Sequence, residues 1–181
     1  SLADISTFSL YPGKNLGAYG DAGIITTNNK SLFERIRKIR NLGAEKKFRH
    51  EIIGMNSRLD SMQALILNYK LKDLLKLNQL RRKIASEYDN KIINNKIRKI
   101  KYSKHSVYHQ YVLIVKERKK LIEYLKKSKI EFGFHYPYAI HQLDVFKNLL
   151  KKNKFTNAEI LAKYGISIPI NPLLTKKEVL Y

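Results

Sequence analysis

Between residues 8 and 23 a single lysine stands among glycines and aromatics: Phe8-Ser9-Leu10-Tyr11-Pro12-Gly13-Lys14-Asn15-Leu16-Gly17-Ala18-Tyr19-Gly20-Asp21-Ala22-Gly23. No other stretch restricts the fold as tightly. Pro12-Gly13 is a turn signal, and Gly17, Gly20 and Gly23 punctuate a loop. Phe8–Tyr11 reads as a short strand entering the loop. Ile24–Thr27, β-branched throughout, reads as the strand leaving it. The setting also bears on chemistry. A partly desolvated ammonium releases its proton more readily, and the neutral amine can form a Schiff base with an aldehyde. Glycines let the backbone approach a planar ligand closely.

Downstream, Asn28-Asn29 marks a turn, and Ser31 is expected to cap a helix running to about Leu42, with Leu32, Ile36 and Ile39 on one face. Gly43 ends it. Residues 44–56 read as an irregular excursion. A long helical pattern runs from Ser57 toward Ile93, with Met62, Leu65, Ile66, Tyr69 and Leu74 on one face, and is expected to break around Leu71–Asn78. Asn94–Ser106 reads as a basic linker with a short edge strand. A strand over Tyr108–Val115, a helix over Lys119–Lys129 and a strand over Ile130–Tyr136 follow. Ala158–Tyr164 is expected to be helical and Ile166–Ile170 to be a strand. Thr175 with Glu178 forms a capping-box pattern for a last helix that stops one turn in, at Tyr181. Ser1–Thr7 reads as the interior of a domain.

Composition excludes several classes. The chain has 181 residues, 44% of them hydrophobic, enough to build a core in one domain or two small ones. It has no cysteine, hence no disulfide framework and no thiolate metal site. No metal site is expected from the histidines either, since His105 and His109 flank a predicted strand. No apolar stretch approaches a membrane span and no signal peptide is visible, so a cytoplasmic location is the default. The net charge of +21 could suit nucleic acid. Its lysines are scattered through every segment, however, and runs such as Arg35–Arg40 and Lys116–Lys120 fit solvated helix faces. A P-loop reading of Gly13-Lys14 fails because Phe8 and Asn15 stand where a glycine and a Ser or Thr belong.

The Lys14 segment resembles the Schiff-base segment of the DegT/StrS-type sugar aminotransferases, enzymes dependent on pyridoxal 5′-phosphate (PLP). Three further stretches resemble that family in the same order: Ile53-Gly54-Met55-Asn56-Ser57-Arg58-Leu59-Asp60 with Gln63-Ala64, then His135-Tyr136-Pro137 with His141, then Ile168-Pro169. The third departs from the family pattern, with Tyr138-Ala139 where a residue followed by proline is usual.

The resemblance implies an α/β fold of the fold-type I PLP enzymes, represented by its C-terminal half. Residues 1–80 would be the end of the large PLP-binding domain, and residues 81–181 a small α+β domain truncated at its last helix. The family's pyridinium-pairing aspartate, ring-stacking side chain and phosphate turn all precede the lysine, where only thirteen residues stand here.

The same resemblance assigns roles. Lys14 would carry the cofactor and then move a proton. The Ser9 hydroxyl would meet its phosphate, and Asn56 would reach the phosphate of a neighbouring subunit, making active sites shared in a homodimer. Arg58, with its planar fork, suits a carboxylate or phosphate clamp; the alternatives are an ion pair of Arg58 with Asp60 or another acid and a helix cap before Arg58 for Asn56. His135 and Tyr136 would line the substrate side, while His141 reads better as a packing residue. The implied reaction transfers an amino group from glutamate to a nucleotide-linked keto-sugar, and the Asn-Ser-Arg-Leu-Asp form favours a 3-keto-6-deoxyhexose. A sugar dehydratase of the same family is the enzymatic alternative, although such enzymes typically carry histidine in place of Lys14. A basic nucleic-acid-binding module is the alternative from another class.

Overall fold

The computed structural model describes residues 3–150 and 154–181 and divides the chain into two units, Ser1–Leu75 and Lys76–Tyr181. Ser1 and Leu2, the start of the stretch read above as domain interior, lie outside the described residues.

In the first unit, strands β1 (Ser6–Ser9) and β2 (Gly23–Thr26) pair antiparallel, with Phe8 opposite Ile24. Helix α1 (Lys30–Arg40) follows. Its cap is Asn29 rather than the expected Ser31: the Asn29 side chain accepts from the Leu32 amide at 3.1 Å, which leaves Ser31 inside the first turn. Leu32, Ile36 and Ile39 are half-buried on one face while Phe33 is exposed. The expected irregular excursion contains a small hairpin, β3 (Ala44–Lys46) with β4 (Arg49–His50). Helix α2 (Ser61–Leu71) closes the unit. It buries Leu67 with Leu10 and Ala18, against which Leu16, Ala22 and Leu59 pack.

The expected long helix breaks within the foreseen window. Helix α3 (Leu74–Lys91) starts afresh after Lys72 and Asp73. The second unit is built on a three-stranded antiparallel sheet of order β5 (Ile97–Lys99), β6 (Tyr111–Val115), β7 (Gly165–Ile168). Alternation along β6 sends Tyr111, Leu113 and Val115 to one face. There they meet Ile84, Ala85 and Tyr88 of α3, Leu125 of α4 (Arg118–Lys127) and Ile166. Helix α6 (Thr156–Tyr164) packs on β6 and β7, with Ile160 and Tyr164 beside Ile114.

Buried tyrosines knit this core. Tyr88 donates to the Pro169 carbonyl at 2.7 Å and Tyr111 to Asp89 Oδ1 at 2.6 Å. The Arg118 guanidinium donates to the Ala162 and Gly165 carbonyls at the C-terminal end of α6, at 2.9 and 3.0 Å.

The strand expected over Ile130–Tyr136 does not form. Lys129 turns through the left-handed region, φ 56°, and the segment then touches β7 at a single bridge, Gly133 with Ser167. A 3₁₀ turn (Ile140–Gln142) and the short α5 (Asp144–Lys147) follow, neither expected. The chain ends in α7 (Lys176–Leu180), capped by Thr175 and Glu178 in the foreseen reciprocal box.

Candidate active site

Lys14 occupies the last position of a turn that Pro12 and Gly13 form, its amide donating to the Tyr11 carbonyl at 2.8 Å. The loop then folds back on its own entrance. The Ala18 amide donates to the Leu10 carbonyl at 2.9 Å, and the Leu10 amide to the Ala22 carbonyl at 2.9 Å. Buried Gly17 lies directly on the carbonyls of Tyr11 and Pro12, where a β-carbon would collide with the backbone. The result is a compact loop seated on Leu10 and Ala18, with Lys14 half-buried at its turn. Ser9, at the end of β1, is exposed; its hydroxyl accepts from the Tyr11 amide at 3.4 Å, so it adjoins the turn that presents Lys14.

Asn56 and Arg58 are positioned by the end of α1. Gly43, at φ 75°, and Gly54 bring two backbone segments into contact that no side chain would permit; a β-carbon on Gly54 would stand 2.6 Å from the Ile39 carbonyl oxygen. Three amides complete the attachment: Met55 to Ile39, Leu42 to Met55 and Ser57 to Arg40, at 2.7, 3.0 and 2.9 Å. Lys38 adds a charged tie, donating to Glu51 at 2.7 Å with Glu45 at 3.1 Å. The bond to Glu51 raises the Lys38 pKa and lowers that of Glu51. His50 donates from Nδ1 to the Leu42 carbonyl at 2.9 Å, which gives it a structural place here.

Held this way, Asn56 and Arg58 line a cavity of about 790 Å³ with Phe8, Ile25, Phe33 and Arg40. Ser9 and Lys14 are not among its lining residues. Two structural alternatives fail: α2 begins at Ser61, so Asn56 caps no helix, and among the described residues Arg58 forms no ion pair with Asp60.

His135 and Tyr136 belong to the second unit, joined by a cis peptide bond. The His135 Nδ1 lies 2.8 Å from the hydroxyl of buried Ser167. Gly133 leaves room for the ring, since a β-carbon there would come within 2.8 Å of Cε1. With Gln110 and Pro169 these residues line a hollow of about 290 Å³. Tyr136 is exposed, its ring edge-on to His135 at 5.5 Å. His141 instead bonds Glu159 at 3.0 Å and packs on Phe155. Within the first unit Ser9 and Lys14 flank one turn while Asn56 and Arg58 line one cavity, and within the second unit His135 and Tyr136 are neighbours. Sequence reasoning missed Ser167 and Lys70. The latter sits on α2, seven residues after Gln63, and donates to the Gly17 carbonyl at 2.7 Å; that two-turn spacing was the available signal.

In kind, the donors suit an aldehyde bearing a phosphate: a half-buried lysine on a fixed turn, a serine hydroxyl at the start of that turn, and an asparagine and an arginine along one cavity. Among the described residues no group of three metal-ligating side chains converges, and no helix is long and apolar enough to cross a membrane.

Known proteins share this chain's pattern. A model of the DegT/DnrJ/EryC1/StrS aminotransferase family matches residues 1–181. The chain is 36% identical over 187 residues to a pleiotropic regulatory protein of Geobacillus stearothermophilus, covering 99% of this chain and 50% of that one. It is 41% identical over 190 residues to dTDP-3-amino-3,6-dideoxy-alpha-D-galactopyranose transaminase of Aneurinibacillus thermoaerophilus, covering 94% and 52%. Among solved structures, that of DesV from S. venezuelae in complex with a ketimine intermediate superposes with a TM-score of 0.90 at 33% identity, covering 97% of this chain and 48% of that one. The chain therefore spans about half the length of the curated relatives it matches.

Proposed function

This chain belongs to the DegT/DnrJ/EryC1/StrS aminotransferase family, and on that premise we propose that it is the C-terminal half of a PLP-dependent enzyme that aminates a nucleotide-linked keto-sugar. The observation that carries the reading is Lys14: one lysine, half-buried as a residue, on a turn fixed by backbone hydrogen bonds within a glycine-bearing loop. PLP, the family's cofactor, supplies an electron sink when bound. Lys14 would hold the cofactor through its amine and, once free of it, would carry a proton. Ser9 is the proposed donor to the phosphate.

Asn56 is assigned to the phosphate of a second copy. That Asn56 lines a cavity to which Lys14 does not contribute supports the assignment. Arg58 has no acid partner at Asp60 and is available to clamp a carboxylate of glutamate, the proposed donor. His135 and Tyr136 would face the sugar. Transaminase relatives named for 3-amino sugars support a 3-keto-6-deoxyhexose as acceptor, and amino-sugar supply for surface polysaccharide is the proposed purpose. The proposed place of action is the cytoplasm, in a homodimer. The first unit would be the end of the large domain and the second the small domain.

The test is reduction of the full-length protein with borohydride in the presence of PLP, followed by peptide mapping. The expected result is a cofactor fixed to Lys14, absent in Lys14→Ala, together with glutamate-dependent amination lost in the same variant. A cofactor that remains fixed to another lysine in Lys14→Ala overturns the reading.

A further inference from the structure

One face of α2 is devoted to the loop that carries Lys14. Gln63, Leu67 and Lys70 recur at helical spacing on that face. Leu67 is buried against Leu10 and Ala18 beneath the loop. Gln63 Oε1 accepts from the Tyr19 amide at 2.8 Å, across 44 residues of sequence, and its side-chain amide lies beside Gly20, 3.4 Å from where a β-carbon would stand. Lys70 donates from Nζ to the Gly17 carbonyl at 2.7 Å and places the same ammonium 4.4 Å from the centre of the Tyr19 ring. Both side chains are half-buried. The opposite side of the helix makes no such contacts: Met62, Leu65 and Tyr69 are 72 to 76% exposed.

We propose that Gln63 and Lys70 are positioning residues that clamp the Lys14 loop to α2 and thereby fix where the Lys14 amine stands. The loop's own backbone bonds end at Ala18. Beyond it the chain has to be held until Ala22 rejoins Leu10: Gln63 grips that interval at the Tyr19 amide and Lys70 at the Tyr19 ring, while the Lys70 hydrogen bond to Gly17 holds the loop just before Ala18. A nucleophilic amine that later serves as a base gains from a fixed position, because misplacement by a fraction of an ångström lowers the population of reactive geometry. The cation–π contact with Tyr19 gives Lys70 a second hold on the same segment. The role rests on the reading of Lys14 as the attachment point; the clamp itself does not.

The experiment compares the full-length protein with Gln63→Leu, Lys70→Met and Gln63→Glu. Gln63→Leu keeps the shape and removes the acceptor. Lys70→Met keeps the stem and removes the ammonium. Gln63→Glu retains an acceptor oxygen and is the rescue. Amide exchange of Tyr19 in the cofactor-free protein should quicken about fivefold in Gln63→Leu, the factor one ordinary hydrogen bond supplies, and return toward wild type in Gln63→Glu. Reductive methylation of Lys14 by formaldehyde and borohydride, read by mass spectrometry, should rise in Gln63→Leu and Lys70→Met as the loop loosens. In the PLP-loaded protein the pH midpoint of the Lys14-linked absorbance should shift in the same two variants.

Unchanged Tyr19 exchange in Gln63→Leu overturns the clamp. Faster exchange with unchanged Lys14 methylation and an unchanged absorbance midpoint overturns the positioning role. A wild-type protein that fixes no PLP at Lys14 overturns the cofactor reading, while exchange and methylation still decide the clamp.

Discussion

Gly17 shows how little freedom the loop around Lys14 has. Its position on the Pro12 and Tyr11 carbonyls leaves no space for a methyl group. Gly17→Ala forces backbone apart and is expected to destabilise the full-length protein by about 1–3 kcal/mol, measured as a lower urea midpoint. The turn under Lys14 was legible in the sequence, because Pro12-Gly13 encodes it locally. The hold on the far side of the loop was not. Tyr19 and Gln63 are 44 residues apart, and a hydrogen bond across that separation leaves no trace in local pattern. The same holds for Ser167 against His135, 32 residues away. Lys14 stood out through its setting among glycines and aromatics, while Ser9 and Asn56 stood out only through resemblance in motif order; by position alone each is an ordinary polar residue in a basic chain.

Among the elements, the tyrosines between α3 and β6 set a pH dependence. Burial raises the pKa values of Tyr88, Tyr102 and Tyr111, and the bond to Asp89 pushes Tyr111 further in the same direction. The folded protein therefore keeps phenolic protons that the unfolded chain releases above its tyrosine pKa near 10.0. Stability from this source is complete below that pH and falls as pH rises through the folded-state values. Denaturant unfolding from pH 9 to 11 should show a declining midpoint, and the decline should be shallower in Tyr111→Phe.

β6, buried on both faces, read as a continuous apolar run. Periodicity revealed the longer helices, but on α2 the apolar face read from it falls on Met62, Leu65 and Tyr69, which are exposed, while Leu67 is the buried residue. The break at Lys72 and Asp73 was legible as an interruption of that pattern. Ile130–Tyr136 was misread because apolar residues there, Phe132 and Phe134, pack against the core from a segment with a single bridge to β7. The β3–β4 hairpin was invisible because its residues are mostly charged and its geometry is set by Gly43 and by the pull of Lys38 on Glu51.

At the scale of the whole molecule, the proposed sharing of active sites makes a quantitative statement. If Lys14 of one copy works with Asn56 of the other, a mixture of Lys14→Ala and Asn56→Ala subunits restores one intact site in each mixed dimer. Random exchange of full-length subunits should then return about a quarter of wild-type activity, read as glutamate-dependent amination. No recovery after verified subunit exchange removes the shared-site proposal. The excess of 36 basic over 15 acidic residues is dispersed along both units and leaves that arithmetic untouched.

Helix α2 separates two properties that many helices mix. Its inner stripe holds the loop that carries Lys14, and its outer stripe of Met62, Leu65 and Tyr69 is exposed. Substitutions at 63, 67 and 70 therefore act directly on how that loop is held, whereas those at 62, 65 and 69 leave its hydrogen bonds in place.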